Sequence, residues 1–65
     1  MKVCELLNHA HLLVGQKTVI HDRGETYTSI DNYRFDLDSE RVDYLLKLKV
    51  ISFQCSDAGL EINAK

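Results

Sequence analysis

Apolar and polar positions alternate with two different periods along this chain. Val3, Leu6, Leu7, Ala10, Leu13 and Val14 recur at helical spacing, so residues 3–14 are predicted to form an amphipathic helix. Gly15 follows as the expected stop. Lys17-Thr18-Val19-Ile20-His21-Asp22 is short and β-branched and predicts a strand. Arg23-Gly24 turns it, and residues 25–29 (ETYTS) return as a second strand. Residues 30–37 are a connector with Asp31-Asn32 as its turn signal. Ile30, Tyr33, Phe35 and Leu37 make this connector too apolar for a free loop, so it is expected to lie on the core.

The stretch LDSERVDYLLKL, residues 37–48, predicts the second helix. Asp38 is the N-cap, its carboxylate placed to accept from a first-turn N–H. Leu37 and Val42 occupy the two positions of a hydrophobic staple. Glu40 in the first turn and Lys47 in the last both suit the helix dipole. Val42, Leu45 and Leu46 form the inward stripe. The period changes at Lys49-Val50-Ile51 without an intervening glycine. Residues 50–55 are then a strand with Ile51, Phe53 and Cys55 on its inner face. Residues 56–59 (SDAG) are a hairpin loop, and Leu60, Ile62 and Ala64 alternate with Glu61, Asn63 and Lys65 on the last strand.

The element order is helix, hairpin, helix, hairpin. The predicted fold class is α+β, a two-layer αββαββ arrangement with a four-stranded, mainly antiparallel sheet and two helices on one face. At 65 residues the chain is read as a single small domain, 1–65. The expected core is Leu6, Leu7, Ala10, Leu13, Ile20, Val42, Leu45, Leu46, Ile51, Phe53, Leu60 and Ile62.

Composition narrows the function classes. The net charge is −2, which makes nucleic acid an unfavoured obligatory partner. No apolar run is long enough to cross a bilayer, and no signal core follows Met1-Lys2. A cytoplasmic location is the expectation. Cys4 and Cys55 are then expected as free thiols.

Candidate chemistry is sparse. Cys4, His9, His11, His21 and Cys55 are the available metal-binding side chains. His9 and His11 project about 160° apart on a helix, and a structural zinc site needs four converging ligands. Asp36, Asp38 and Glu40 imitate the opening of a calcium loop. The loop's glycine and final glutamate are replaced by Arg41 and Lys47, which rules it out. No spacing fixes a nucleophile beside a base. No catalytic residue, cofactor or metal is expected, and the chain is read as a non-enzyme.

Two surfaces remain. Asp31, Asp36, Asp38, Glu40 and Asp43 outnumber Arg34 and Arg41 and could imitate a phosphate track. On the helices, Leu12 projects about 160° and Tyr44 about 150° from the apolar stripes, with Leu48 one turn beyond Tyr44. Leu12, Tyr44 and Leu48, with Arg41 at the rim, are therefore expected to form a homodimer contact or a target-binding face.

The VCELL helix after Met-Lys, the strand VIHDRGETYTS and the closing VISFQCSDAGLEINA together resemble a class of short uncharacterised proteins from bacteriophages and prophages. Such proteins are often inhibitors or adaptors of host machinery, anti-CRISPR and other anti-defence proteins among them. The resemblance implies a binding role in the host cytoplasm, against a host protein or protein complex. Two alternatives stand beside it. One is a nucleic-acid-binding accessory factor using Lys2, Lys17, Arg23, Lys47 and Lys49 with Tyr27 or Tyr33 for stacking. The other is an oligomer that sequesters a small molecule.

Overall fold

The computed structural model describes residues 1–65. Six elements follow one another: α1 (Val3–His9), β1 (Lys17–Asp22), β2 (Glu25–Thr28), α2 (Ser39–Lys47), β3 (Val50–Ser56) and β4 (Gly59–Ala64). They make an α+β fold with one four-stranded sheet in the order β2-β1-β4-β3. The β1–β2 and β3–β4 hairpins are antiparallel, while β1 and β4 run parallel at the centre. The sheet is therefore mixed. No helix is long and apolar enough to cross a membrane.

Alternation in β1 and β4 builds the core. Thr18, Ile20 and Asp22 pair with Leu60, Ile62 and Ala64, and all six are buried. Val3 and Leu6 of α1, with Leu45 and Leu48 at the end of α2, join Ile20, Leu60, Ile62 and Ala64 in one apolar cluster. Close approach at the start of the parallel pair depends on Gly59. A Cβ there would lie 2.0 Å from the Lys17 carbonyl oxygen, well inside any van der Waals contact.

The second helix forms as its sequence predicts. Asp38 accepts from the Arg41 N–H at 2.8 Å, and Glu40 and Lys47 stand at the expected ends. Leu45 is its most deeply buried residue. The first helix is shorter than predicted. It ends at His9, and Ala10 turns extended, with φ −83° and ψ 141°. Polar side chains from elsewhere hold the next segment open. Tyr33 Oη donates to the Ala10 carbonyl at 2.5 Å. The Asn32 side chain donates to the carbonyls of Leu13 and Gln16, and Gln16 accepts from the Leu13 N–H. These bonds replace the helical ones that residues 10–14 would otherwise make. Gly15 consequently sits in a turn rather than at a helix end.

Four expected core residues lie outside the core: Val42, which is half-buried and does not pack against the apolar cluster, and three that are exposed. Leu13 is on the opened segment and is 70% exposed. Ile51 and Phe53 are 59% and 48% exposed, because β3 is the edge strand and has only one neighbour. The register also shifts between Val50 and Ser52. This bulge throws Ile51 out of the alternation, and Val50 packs against the core in its place. Phe35 does lie on the core, but Ile30, Tyr33 and Leu37 of the connector are exposed.

Candidate interaction surface

Where α1 stops short, a groove opens. Its walls are the α1 C-terminus and the extended segment 10–13, and its floor is β3 and β4. Leu6, Ala10, Leu12, Leu13, Phe53 and Leu60 give it an apolar lining, with His9, His11, Gln16 and Cys55 around them. The cavity volume is about 630 Å³, within the range of ligand- and anchor-binding clefts. Gln16 braces one end by donating towards the Ser56 and Asp57 carbonyls at 3.4 and 3.3 Å. Leu13 and Phe53 leave large apolar surface at the rim.

The groove continues onto the outer edge of β3. That edge is capped only at its beginning. Val50 N–H donates to the Met1 carbonyl, and Val3 N–H donates to the Leu48 carbonyl. From Ile51 to Ser56 every residue is exposed, and none is charged.

The outer helix face expected from the sequence is not assembled. Leu48 is the C-cap of α2, not a further helical residue, and its side chain is buried at 7% exposure. The helical angle no longer applies once the chain has left the helix. Leu12 lies on the extended segment and packs against the core, where it helps to line the groove. Tyr44 is half-exposed, but its hydroxyl donates to Asp22 Oδ2 at 2.7 Å. Arg41 lies over the rings of Tyr27 and Tyr44, 5.9 and 5.5 Å from their centroids. Both residues are thus engaged within the chain. Asp22 is buried at the end of β1, and its Oδ1 has no hydrogen-bond donor. The bond to this carboxylate raises the Tyr44 pKa above the ordinary tyrosine value.

The acidic stretch is partly committed as well. Asp31 meets Arg34 at 3.3 Å, and Asp38 caps α2. Asp36, Glu40 and Asp43 are exposed. Of the stacking candidates, Tyr27 is covered by Arg41 and Tyr33 is bonded to Ala10.

The sheet face opposite the helices carries a hydroxyl–imidazole–carboxylate chain. His21 Nδ1 lies 3.0 Å from Thr26 Oγ1, and Nε2 lies 2.7 Å from Glu61 Oε2. The order is that of a nucleophile, its base and an orienting acid. Neither His21 nor Thr26 lines a cavity. The five potential metal ligands do not converge: no three His, Cys, Asp or Glu side chains gather around one point. Cys4 and Cys55 are both free thiols.

Comparisons with family models, curated proteins and solved structures give no match. The functional reading therefore rests on this surface. Sequence reasoning missed the groove because it needs α1 to end early and β3 to be an edge. The one signal available was the uncharged run VISFQCS, unusual on a strand with one edge unpaired.

Proposed function

We propose that this chain is a small non-enzymatic interaction protein that grips a partner protein through the groove between α1 and β3. The observation that carries this reading is the exposed apolar rim, Leu13 and Phe53, above an apolar cleft. An apolar anchor side chain from a partner would bury that surface, with the exposed, uncharged strand β3 forming one side of the contact. In its most specific form the reading is a phage-type protein that inhibits or redirects a bacterial host macromolecule, acting in the host cytoplasm. Its support is the small size, the sequence resemblance and the exposed Asp36, Glu40 and Asp43.

The test is capture from bacterial lysate, identification of the captured protein and affinity measurement against that protein purified. Leu13→Asp alters only the exposed rim, so the variant should fold and bind at least about tenfold more weakly. Unchanged affinity in the folded variant overturns the reading.

One observation favours a second reading, a nucleic-acid accessory factor. Lys2 bridges Lys49, and Lys49 exchanges both backbone bonds with Lys65. Three lysines thus stand side by side across the sheet with no carboxylate paired to them. Salt-dependent binding to DNA or RNA, lost in Lys49→Glu, would establish this alternative.

A further inference from the structure

We infer that the free edge of β3 pairs antiparallel with β3 of a second copy, joining two sheets into one of eight strands. The inference deepens the reading above and rests on its claim that β3 is a binding strand.

The two edges of the sheet are unequal. β2 has only four residues, begins with Glu25 and follows Arg23, so charge and shortness protect it. β3 has seven residues and no charge, proline or glycine. Its backbone is also poised outward. Lys49 and Lys65 exchange both of their bonds. Antiparallel pairs alternate between bonded and non-bonded. Counting along β4, the non-bonded positions are Ala64, Ile62 and Leu60, whose partners are Val50, Phe53 and Cys55. Those three must direct N–H and C=O away from β4. Val50 already does so, towards Met1. Phe53 and Cys55 are left with outward groups and no strand to receive them.

The stretch is complementary to itself. Phe53 and Cys55 project towards the helix side with Ile62 and Leu60, and Ser52 and Gln54 towards the other with Asn63 and Glu61. Two antiparallel copies therefore place apolar beside apolar and amide beside hydroxyl. Lys49 precedes the stretch and Asp57 follows it. Met1 and Lys2 already cover the outer side of Lys49 and Val50, so residues 51–56 are the part left to pair. Antiparallel pairing there sets Asp57 of each strand beside the Lys2–Lys49 end of the other, and opposite charges meet at both ends. Parallel pairing would set like charge on like. Closure by a twofold axis uses up both free edges and stops at two copies. The two grooves, which share Phe53 and Cys55, then lie side by side along one sheet.

Sedimentation of the intact chain across low to high micromolar concentration tests this. The wild type should be a dimer at the upper end. Ile51→Lys, at a residue 59% exposed, should weaken dimerisation at least about tenfold. Lys49→Glu and Asp57→Lys should each weaken it alone, and an equimolar mixture of the two should recover dimers, because every end then carries opposite charges. Circular dichroism confirms that each variant is folded. A wild type that stays monomeric overturns the inference. So does a dimer unaffected by Ile51→Lys, or a mixture no more dimeric than its components. Leu13→Asp separates this outcome from the groove reading, since it should lose the partner protein and keep the dimer.

Discussion

Tyr44 shows how one residue decides between surface and interior roles. Its position on α2 suggests an outward anchor, yet its hydroxyl is the hydrogen-bond donor to Asp22 Oδ2. Asp22 has a second oxygen with no donor and only a distant Arg23, 3.9 Å away. Tyr44→Phe would remove the one short bond that this buried carboxylate has. The variant should be less stable than the wild type, as measured by urea unfolding at neutral pH. The pH dependence has a definite sign. The folded-state pKa of Tyr44 is raised, so the native state holds the proton more tightly than the unfolded chain. Its contribution is complete below the unfolded value, about 10, and is lost as pH rises through the folded value. The stability gap between wild type and Tyr44→Phe should therefore narrow in alkaline solution. A gap that stays constant above that pH would show that the hydroxyl does not bond Asp22.

At the scale of elements, α2 separates two adjacent leucines. Leu45 is 1% exposed, whereas Leu46 is only partly buried beside the cluster. Leu45→Ala should cost about 2–5 kcal/mol and Leu46→Ala distinctly less, by denaturant titration. Equal losses would mean that the helix is rotated from this orientation. α2 was legible because every signal for it is local: the Asp38 cap, the charges at its ends and its stripe all lie within ten residues. The end of α1 was not. Residues 10–14 keep the helical period, but Asn32 and Tyr33, about twenty positions away, take their carbonyls. A pattern within the segment carries no trace of that competition. Strand β3 repeats the lesson. Its alternation of Ile51, Phe53 and Cys55 is real, but burial depends on its place in the sheet, and that place is set by β1 pairing with β4. The candidate surface was hidden for the same two reasons.

The whole molecule balances a small core against a large surface. A domain of this size buries only about 60% of the surface its unfolded chain exposes. Its two thiols are free, and no group of metal-binding side chains converges. The melting temperature should then be unchanged by chelator or by reductant. A clear fall with either reagent would reveal a metal or disulfide contribution to folding. Burying Ile51 and Phe53 against another chain would instead raise the midpoint with protein concentration, which links this measurement to the sedimentation experiment.

The contact between Gly59 and Lys17 bears on how freely the sequence can drift. At Gly24 the backbone has a positive φ but open space around the missing Cβ, so asparagine or aspartate fits there at modest strain. At Gly59 any side chain meets the backbone of the neighbouring strand, and that backbone cannot yield without parting the central parallel pair. In a library randomised at both positions and selected for folding, position 24 should admit several residues and position 59 glycine alone. Recovery of other residues at 59 would show that β1 and β4 are further apart than described. The rest of the chain can exchange its surface and trade one apolar residue for another, but its alphabet at residue 59 has a single letter.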